Sequence, residues 1–231
     1  MDRAPGYEPG GLEVRTLSGA MIFQPFASGP VTTNAYVVLC KRSGKAAIID
    51  PSPGSFESIK RFLEKNNYLP DKILITHSHW DHIADVAICK REYNIPVWIH
   101  PLDAPNLKKP GADGLQIRFP IEGVIPDYFL NEGDTFFIGE IEFKVIHTPG
   151  HSPGGVCFYS EELKVLISGD TLFRGSFGIL SLPTAQPELM WISLNNLWQL
   201  PKETIVYPGH GPSTTIGRED WLPEARKFSE Y

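Results

Sequence analysis

The 231-residue chain is poor in cysteine: Cys40, Cys89 and Cys157 are its only three, widely spaced and without a Cys-x-x-Cys. That excludes a disulfide framework and a cysteine zinc site, and leaves each thiol, set in an apolar stretch, to pack as a small hydrophobe. Positive charge is also scarce. Lys plus Arg total 21 against 27 Asp plus Glu, a formal net charge of −6, which is the wrong sign for the broad electrostatic footprint that nucleic acid requires. No apolar run is long enough to cross a bilayer. The first residues, Met1-Asp-Arg-Ala-Pro-Gly-Tyr-Glu-Pro-Gly-Gly, hold neither the apolar stretch of a signal peptide nor the Arg/Ser-rich pattern of a transit peptide. These absences lead to the expectation of a soluble cytoplasmic protein with no nucleic-acid or membrane partner.

Hydrophobic residues are plentiful at 42%, enough for a sizeable core and too many for a disordered chain. Gly and Pro, 21 of each, punctuate too often for a helical bundle. Residues 1–11 read as a flexible tail and residues 12–231 as one domain. From Val14 onward, short β-type runs at 20–23, 34–40 and 46–49 are separated by Gly, Ser and Pro, a strand-and-turn signal. Residues 55–66 switch to helical spacing, with Phe56, Ile59, Phe62 and Leu63 on one face. A strand at 72–75, a helix over 81–93 and a strand at 97–99 follow.

Between 101 and 134, Pro101, Pro105, Pro110, Pro120 and Pro126 break any periodicity, which predicts a long loop lying over the fold. Strands are expected again at 135–138, 140–146, 155–159, 165–167 and 205–207. A Leu- and Trp-rich helix is expected from about 187 to 200, with Pro187 in its first turn. The strands-then-helix rhythm of both halves predicts an α/β fold: a four-layered αββα sandwich, with two mixed β-sheets flanked by helices.

The most informative stretch is Thr76-His77-Ser78-His79-Trp80-Asp81-His82, directly after the strand at 72–75. Three histidines and an aspartate fall within six residues of a chain with seven histidines in all. His77 and His79 are two apart on extended backbone, so their imidazoles can face the same side. Asp81 and His82 fall where a helix starts and the backbone re-aims them. Neutral imidazole and carboxylate oxygen suit zinc, iron or manganese. A polar turn capped by Asp81 explains one such residue better than four together. Three more polar side chains end strands among glycines and prolines, the loop setting in which functional residues concentrate. They are His151 in Thr148-Pro-Gly-His-Ser-Pro-Gly, Asp170 in Ser168-Gly-Asp-Thr-Leu-Phe, and His210 in Tyr207-Pro-Gly-His-Gly-Pro.

In this order, the His-x-His-x-Asp-His run at 77–82 with His151, Asp170 and His210 resembles the metallo-β-lactamase superfamily of metal-dependent hydrolases. Within it the chain is similar to the glyoxalase II-like (hydroxyacylglutathione hydrolase-like) branch, over about residues 20 to 220. The resemblance implies that His77, His79 and His151 hold one metal, that Asp81, His82 and His210 hold the other, and that Asp170 bridges them. Two divalent ions per chain are therefore expected, zinc first, with iron or manganese also accepted. The resemblance further implies hydrolysis of a small acyl substrate, usually a thioester, by a hydroxide shared between the ions. Asp81 and Asp170 then serve as ligands and not as proton carriers.

The chain departs from full glyoxalase II in ways that leave its natural substrate open. It ends 21 residues after His210, so the helical domain that follows there is expected to be missing. Gly178-Ile-Leu-Ser and Gly211-Pro212 stand where that family grips glutathione. Residues 209–219 instead resemble the end of shorter glyoxalase II-like proteins.

Asp50, in Ile48-Ile-Asp-Pro, matches a family position behind the metals, from which it can orient a ligand histidine; a turn or helix cap explains it equally well. Trp80 is expected to pack beside the metals. Phe173, Arg174 and Phe177 follow Asp170 on one loop and are expected to line the pocket, where Arg174 suits an anionic substrate. A structural ion pair is the competing role for Arg174. His100 and His147 match no ligand position and read as structural. The competing function is a mononuclear-iron, persulfide dioxygenase-like oxidoreductase on the same fold.

Overall fold

In the computed structural model, which describes residues 12–16 and 19–228, two mixed β-sheets lie face to face. The expected tail over residues 1–11 lies outside the described residues. The first sheet takes seven strands in chain order: β1 (Leu12–Thr16), β2 (Gly19–Ser28), β3 (Thr33–Cys40), β4 (Lys45–Ile49), β5 (Leu69–Leu74), β6 (Val97–Ile99) and β7 (Tyr128–Phe129). Its first four strands pair antiparallel, and β4 to β7 pair parallel. The second sheet is built from β8 (Thr135–Ile138), β9 (Ile141–His147), β10 (Val156–Ser160), β11 (Val165–Gly169), β12 (Ile205–Pro208) and β13 (Thr214–Thr215). Its order is β13-β12-β11-β10-β9-β8, with β11 and β12 parallel. Helices α1 (Phe56–Asn66), α2 (Trp80–Ile83), α3 (Val86–Tyr93) and α4 (Ala104–Lys108) cover the first sheet, and α5 (Pro187–Trp198) and α6 (Ala225–Phe228) the second.

Strand β3 shows why this layering forms. All eight of its residues are buried, so both faces need cover. Its period of two sends Tyr36, Val38 and Cys40 between the sheets, against Phe136, Phe143, Phe158 and Ile167. Ala35, Val37 and Leu39 face the other way, onto Ile59 and Leu63 of α1 and Val86 of α3. Strand β10 repeats the arrangement, with Phe158 inward and Cys157 and Tyr159 against Met190, Leu194 and Leu197 of α5. Across the sheets, Phe23 stacks on Tyr207 with ring centroids 4.6 Å apart and planes within 6°. All three cysteines are free and buried, as expected. Among the described residues no helix is long and apolar enough to cross a membrane.

Three local expectations are corrected. The helix expected over 81–93 is two helices, α2 and α3, parted at Ala84 and Asp85. Asp85 breaks it because its groups are used elsewhere: its N–H donates to Pro51 O at 2.9 Å and its carboxylate accepts the Phe56 N–H at 3.0 Å, at the start of α1. The loop expected over 101–134 contains α4 and β7. Pro105 lies in the first turn of α4, where a missing N–H leaves nothing unpaired. Strand β2 continues past Phe23 to Ser28 through Pro25; among the described residues β1 pairs as far as Phe23, so Pro25 interrupts no ladder bond on that side.

Strands β4, β5, β11 and β12 all end at one edge of the sandwich. There the sheets are tied by main-chain bonds from Val156 N to Thr76 O (2.9 Å) and from Asn34 N to Gly209 O (2.7 Å).

Candidate metal centre

At that edge the residues just past the strand ends converge. Asp50 follows β4, the 76–82 run follows β5, Asp170 follows β11 and His210 lies just past β12; His151 comes from the loop after β9. His77, His79 and His151 present ring nitrogens within 4.8 Å of one another, and Asp81, His82 and His210 form a second such set. Asp170 lies between them. Its Oδ1 is 3.3 Å from His82 Nε2, and its Oδ2 is 3.4 Å from both His151 Nε2 and His210 Nε2. A third grouping, Asp50 with His77 and His82, is already satisfied. Asp50 accepts the Thr76 N–H (2.7 Å), the Thr76 hydroxyl (2.5 Å) and the His82 Nδ1–H (2.9 Å).

Hydrogen bonds on the far side of three rings set which nitrogen faces inward. His82 Nδ1 donates to Asp50, His151 Nδ1 to Ile179 O at 2.9 Å, and His210 Nδ1 to Val31 O at 3.2 Å. Each Nε2 is left aimed at the centre. Thr33 Oγ1 donates to Asp81 Oδ2 at 2.6 Å. His79 Nδ1 sits 2.8 Å from His151 Nε2. Among the described residues, buried His77 Nε2, His79 Nε2, His82 Nε2 and Asp170 Oδ1 have no hydrogen-bond partner, and a buried polar atom left so costs about 1–3 kcal/mol. A cation between these atoms would relieve it, so the donor set fits metal ions.

The electrostatics divide the cluster. Burial, reinforced by the nearby His82, pushes His77 well below the usual imidazole range; burial and His151 bring His79 down to about 3. Against burial, the carboxylates of Asp81 and Asp170 hold His82 well above that range. Against burial again, hydrogen bonds to Asp170 and Asp81 raise His210 to about 9. The same contacts outweigh desolvation of the acids: His82 and His210 draw Asp81 down to about 2 and Asp170 well below its usual value. Two imidazoles are thus neutral and both carboxylates ionised, the forms that bind cations. Protons on His82 and His210 occupy the places a cation would take.

The backbone approaches this cluster closely. A Cβ at Gly209 would fall on Asp170 Oδ1, and one at Gly178 would lie 2.7 Å from His151 Nδ1. Only hydrogen fits at either position.

The flanking expectations divide. Asp50 bonds the far side of the His82 ring at 2.9 Å, and the Phe56 N–H at the start of α1 goes to Asp85. Trp80 packs edge-on against Phe119 at 5.6 Å, and Phe173 packs edge-on against the His210 ring at 5.7 Å. Arg174 is exposed at the tip of a turn closed by Phe173 N to Ser176 O (2.8 Å) and makes no ion pair among the described residues. Phe177 is a correction: it turns away to pack on Trp191 and Trp221, at 5.3 and 6.0 Å, in the cluster under α5. His100 and His147 stack on each other at 4.2 Å, with His147 Nε2 on Pro153 O.

Sequence reasoning passed over Thr33, Asp103, Asn106 and Phe119, whose contacts with the 76–82 run no local pattern announces, Thr33 and Asp103 bonding it across 48 and 25 residues. A groove of about 730 Å3 between β9, β10 and α5 contains none of the seven side chains. Donor chemistry, not volume, marks the centre.

Comparison with known proteins agrees with the geometry. A family model described as the metallo-beta-lactamase superfamily matches residues 28–210. The probable metallo-hydrolase YqgX of Bacillus subtilis is 34% identical over 205 residues, 87% of this chain and 96% of that protein. The hydroxyacylglutathione hydrolase GloC of Haemophilus influenzae is 32% identical over 178 residues, 75% of this chain and 84% of that one. Among solved structures, the BLEG-1 B3 metallo-beta-lactamase matches with a TM-score of 0.81 at 38% identity, covering 88% of this chain and 99% of the other. TTHA1623 in a di-iron-bound form matches with a TM-score of 0.73 at 41% identity, covering 84% and 96%.

Proposed function

The chain belongs to the metallo-beta-lactamase superfamily, and from that premise we propose that it is a dinuclear metal-dependent hydrolase of a thioester or related small acyl substrate. The observation that carries this reading is the pair of three-donor sets meeting at Asp170 with buried donor atoms left unpartnered. His77, His79 and His151 would hold one ion and Asp81, His82 and His210 the other, with Asp170 placed between the two sets to serve either. Zinc, iron and manganese suit these donors, and the di-iron form of TTHA1623 supports iron beside zinc. When bound, two divalent cations supply Lewis acidity toward a carbonyl and a water acidified toward neutral pH. A one-iron oxygenase would leave the Asp81, His82 and His210 set without a role.

The protein's own groups favour a good leaving group. Asp81 and Asp170 are held so acidic that neither carries a proton at neutral pH, so neither can protonate what departs. A thiolate needs no such help, since thiols ionise near pH 8.5; an amine leaving an amide does. Asp50 holds the His82 ring and Thr33 holds the Asp81 carboxylate. Phe173 gives an apolar wall beside His210, and the exposed Arg174 offers a cation to an anionic leaving group. The free buried cysteines suit the cytoplasm, a reducing compartment.

GloC carries the name hydroxyacylglutathione hydrolase, which makes S-lactoylglutathione the first substrate to try. The test is a panel of thioesters with a β-lactam as control, run on metal-loaded and chelator-stripped protein. Metal-dependent thioester hydrolysis, lost on stripping and restored by reloading, is the expected result. A loaded protein that opens the β-lactam and leaves every thioester intact would overturn the assignment.

A further inference from the structure

One half of the centre stands on two loops far apart in sequence. His77 and His79 come from the loop after β5, and His151 from the loop after β9. A single buried carboxylate outside the seven donors ties these loops together. Ser78 lies between the first two histidines, and the start of α4 takes both of its main-chain polar groups. Its N–H donates to Asp103 Oδ2 at 2.7 Å, and its C=O accepts from Asn106 Nδ2 at 2.5 Å. The other oxygen, Asp103 Oδ1, accepts the N–H of Gly154 at 2.6 Å, three residues past His151. Asp103 is only 3% exposed.

The other half has its own supports: Asp50 behind His82, Thr33 on Asp81 and the Val31 carbonyl on His210. None of these residues bonds to Asp103. We propose that Asp103 is a positioning residue for His77, His79 and His151, fixing one cation site while leaving the Asp81, His82 and His210 site unaffected. The chemistry requires a carboxylate. Two N–H donors converge on two oxygens, and short bonds to an ionised acceptor are the strong ones. An asparagine there keeps one acceptor and turns an NH2 group against the other N–H. Groups that orient metal ligands from behind typically contribute about 10–100-fold to metal affinity, and that is the effect assigned to Asp103 on one site.

This inference rests on the two-cation reading, and one experiment separates their failures. Wild type, Asp103→Asn and Thr33→Val are stripped with chelator and titrated with Zn2+, and the histidine ring nitrogens are followed by 1H–15N NMR. In Asp103→Asn the signals of His77, His79 and His151 should need about 10–100-fold more free Zn2+ to shift, while those of His82 and His210 saturate as in wild type. Thr33→Val should show the reverse pattern. Asn106→Ala removes the bond to Ser78 C=O, along with two bonds to Asp113, while leaving both Asp103 bonds in place, and should weaken the same three histidines by a smaller factor; it carries the test if Asp103→Asn does not fold. Equal weakening of both sets, or of neither, overturns the role of Asp103. A wild type that binds fewer than two ions overturns the two-cation reading, and this inference with it.

Discussion

Replacing Gly209 with alanine adds one carbon where the structure has no room for it. The new Cβ would fall on Asp170 Oδ1, 2.8 Å from His82 Cε1 and 3.1 Å from the Gly169 carbonyl carbon. Carbon atoms pack at about 3.5–4.0 Å, so the His82 ring must move by roughly 1 Å and the carboxylate must turn away. The backbone cannot retreat instead, because Gly209 N–H donates to Gly169 O at 2.8 Å and its C=O accepts the Asn34 N–H at 2.7 Å. The displaced groups are the carboxylate shared by both donor sets and one histidine. A misplacement of about 1 Å can lower a rate by roughly 100-fold. Overpacking of this kind costs about 1–3 kcal/mol, within the roughly 5–15 kcal/mol that holds a domain folded. The assay compares kcat/KM on a thioester, zinc content and melting temperature for wild type and Gly209→Ala. A folded variant with a rate about 100-fold lower and reduced zinc is expected. Wild-type rate with full zinc would refute the steric reasoning.

Other perturbations probe separate parts of the structure. Asp170→Ala should abolish turnover, whereas His147→Ala, in a ring stacked on His100 and outside both donor sets, should keep two metals and most activity; metal loss in the latter would count against the assignment. In the metal-free protein His210 is raised to about 9, against burial, by Asp170 and Asp81. A raised pKa gives stability that is complete below the unfolded value of about 6.5 and is lost as pH rises through about 9. The melting temperature of metal-free protein should therefore fall across that window while metal affinity rises. At pH 7, metal binding should release protons and give a calorimetric heat that depends on the buffer; a buffer-independent heat would contradict this. Phe158→Ala, between the sheets and fully buried, should cost about 3–5 kcal/mol in urea unfolding with the metal content of the folded fraction unchanged.

The sandwich was legible because its signals are local. The alternation of Tyr36, Val38 and Cys40 with Ala35, Val37 and Leu39 is written along six residues, and so is the clustering of His77, His79, Asp81 and His82. What escaped the sequence depends on partners distant along the chain. Asp85 parts a helix because Phe56 and Pro51 need its groups. Pro105 looks like a breaker until it is seen to lie in the first turn of α4. Asp103 sits in a proline-rich stretch with no motif of its own, and its two bonds reach back 25 residues and forward 51. Phe177 shares a loop with Asp170, but Trp191 and Trp221 draw it under α5; proximity in sequence does not fix which way a side chain turns.

The most direct test of a two-cation hydrolase is reconstitution by counted equivalents. Chelator-stripped protein is titrated with Zn2+, and bound metal and thioester hydrolysis are measured at each addition. Two ions per chain should bind, with hydrolysis reaching its plateau only as the second equivalent fills. Full activity at one bound ion per chain, or no hydrolysis of any thioester at two, would contradict it.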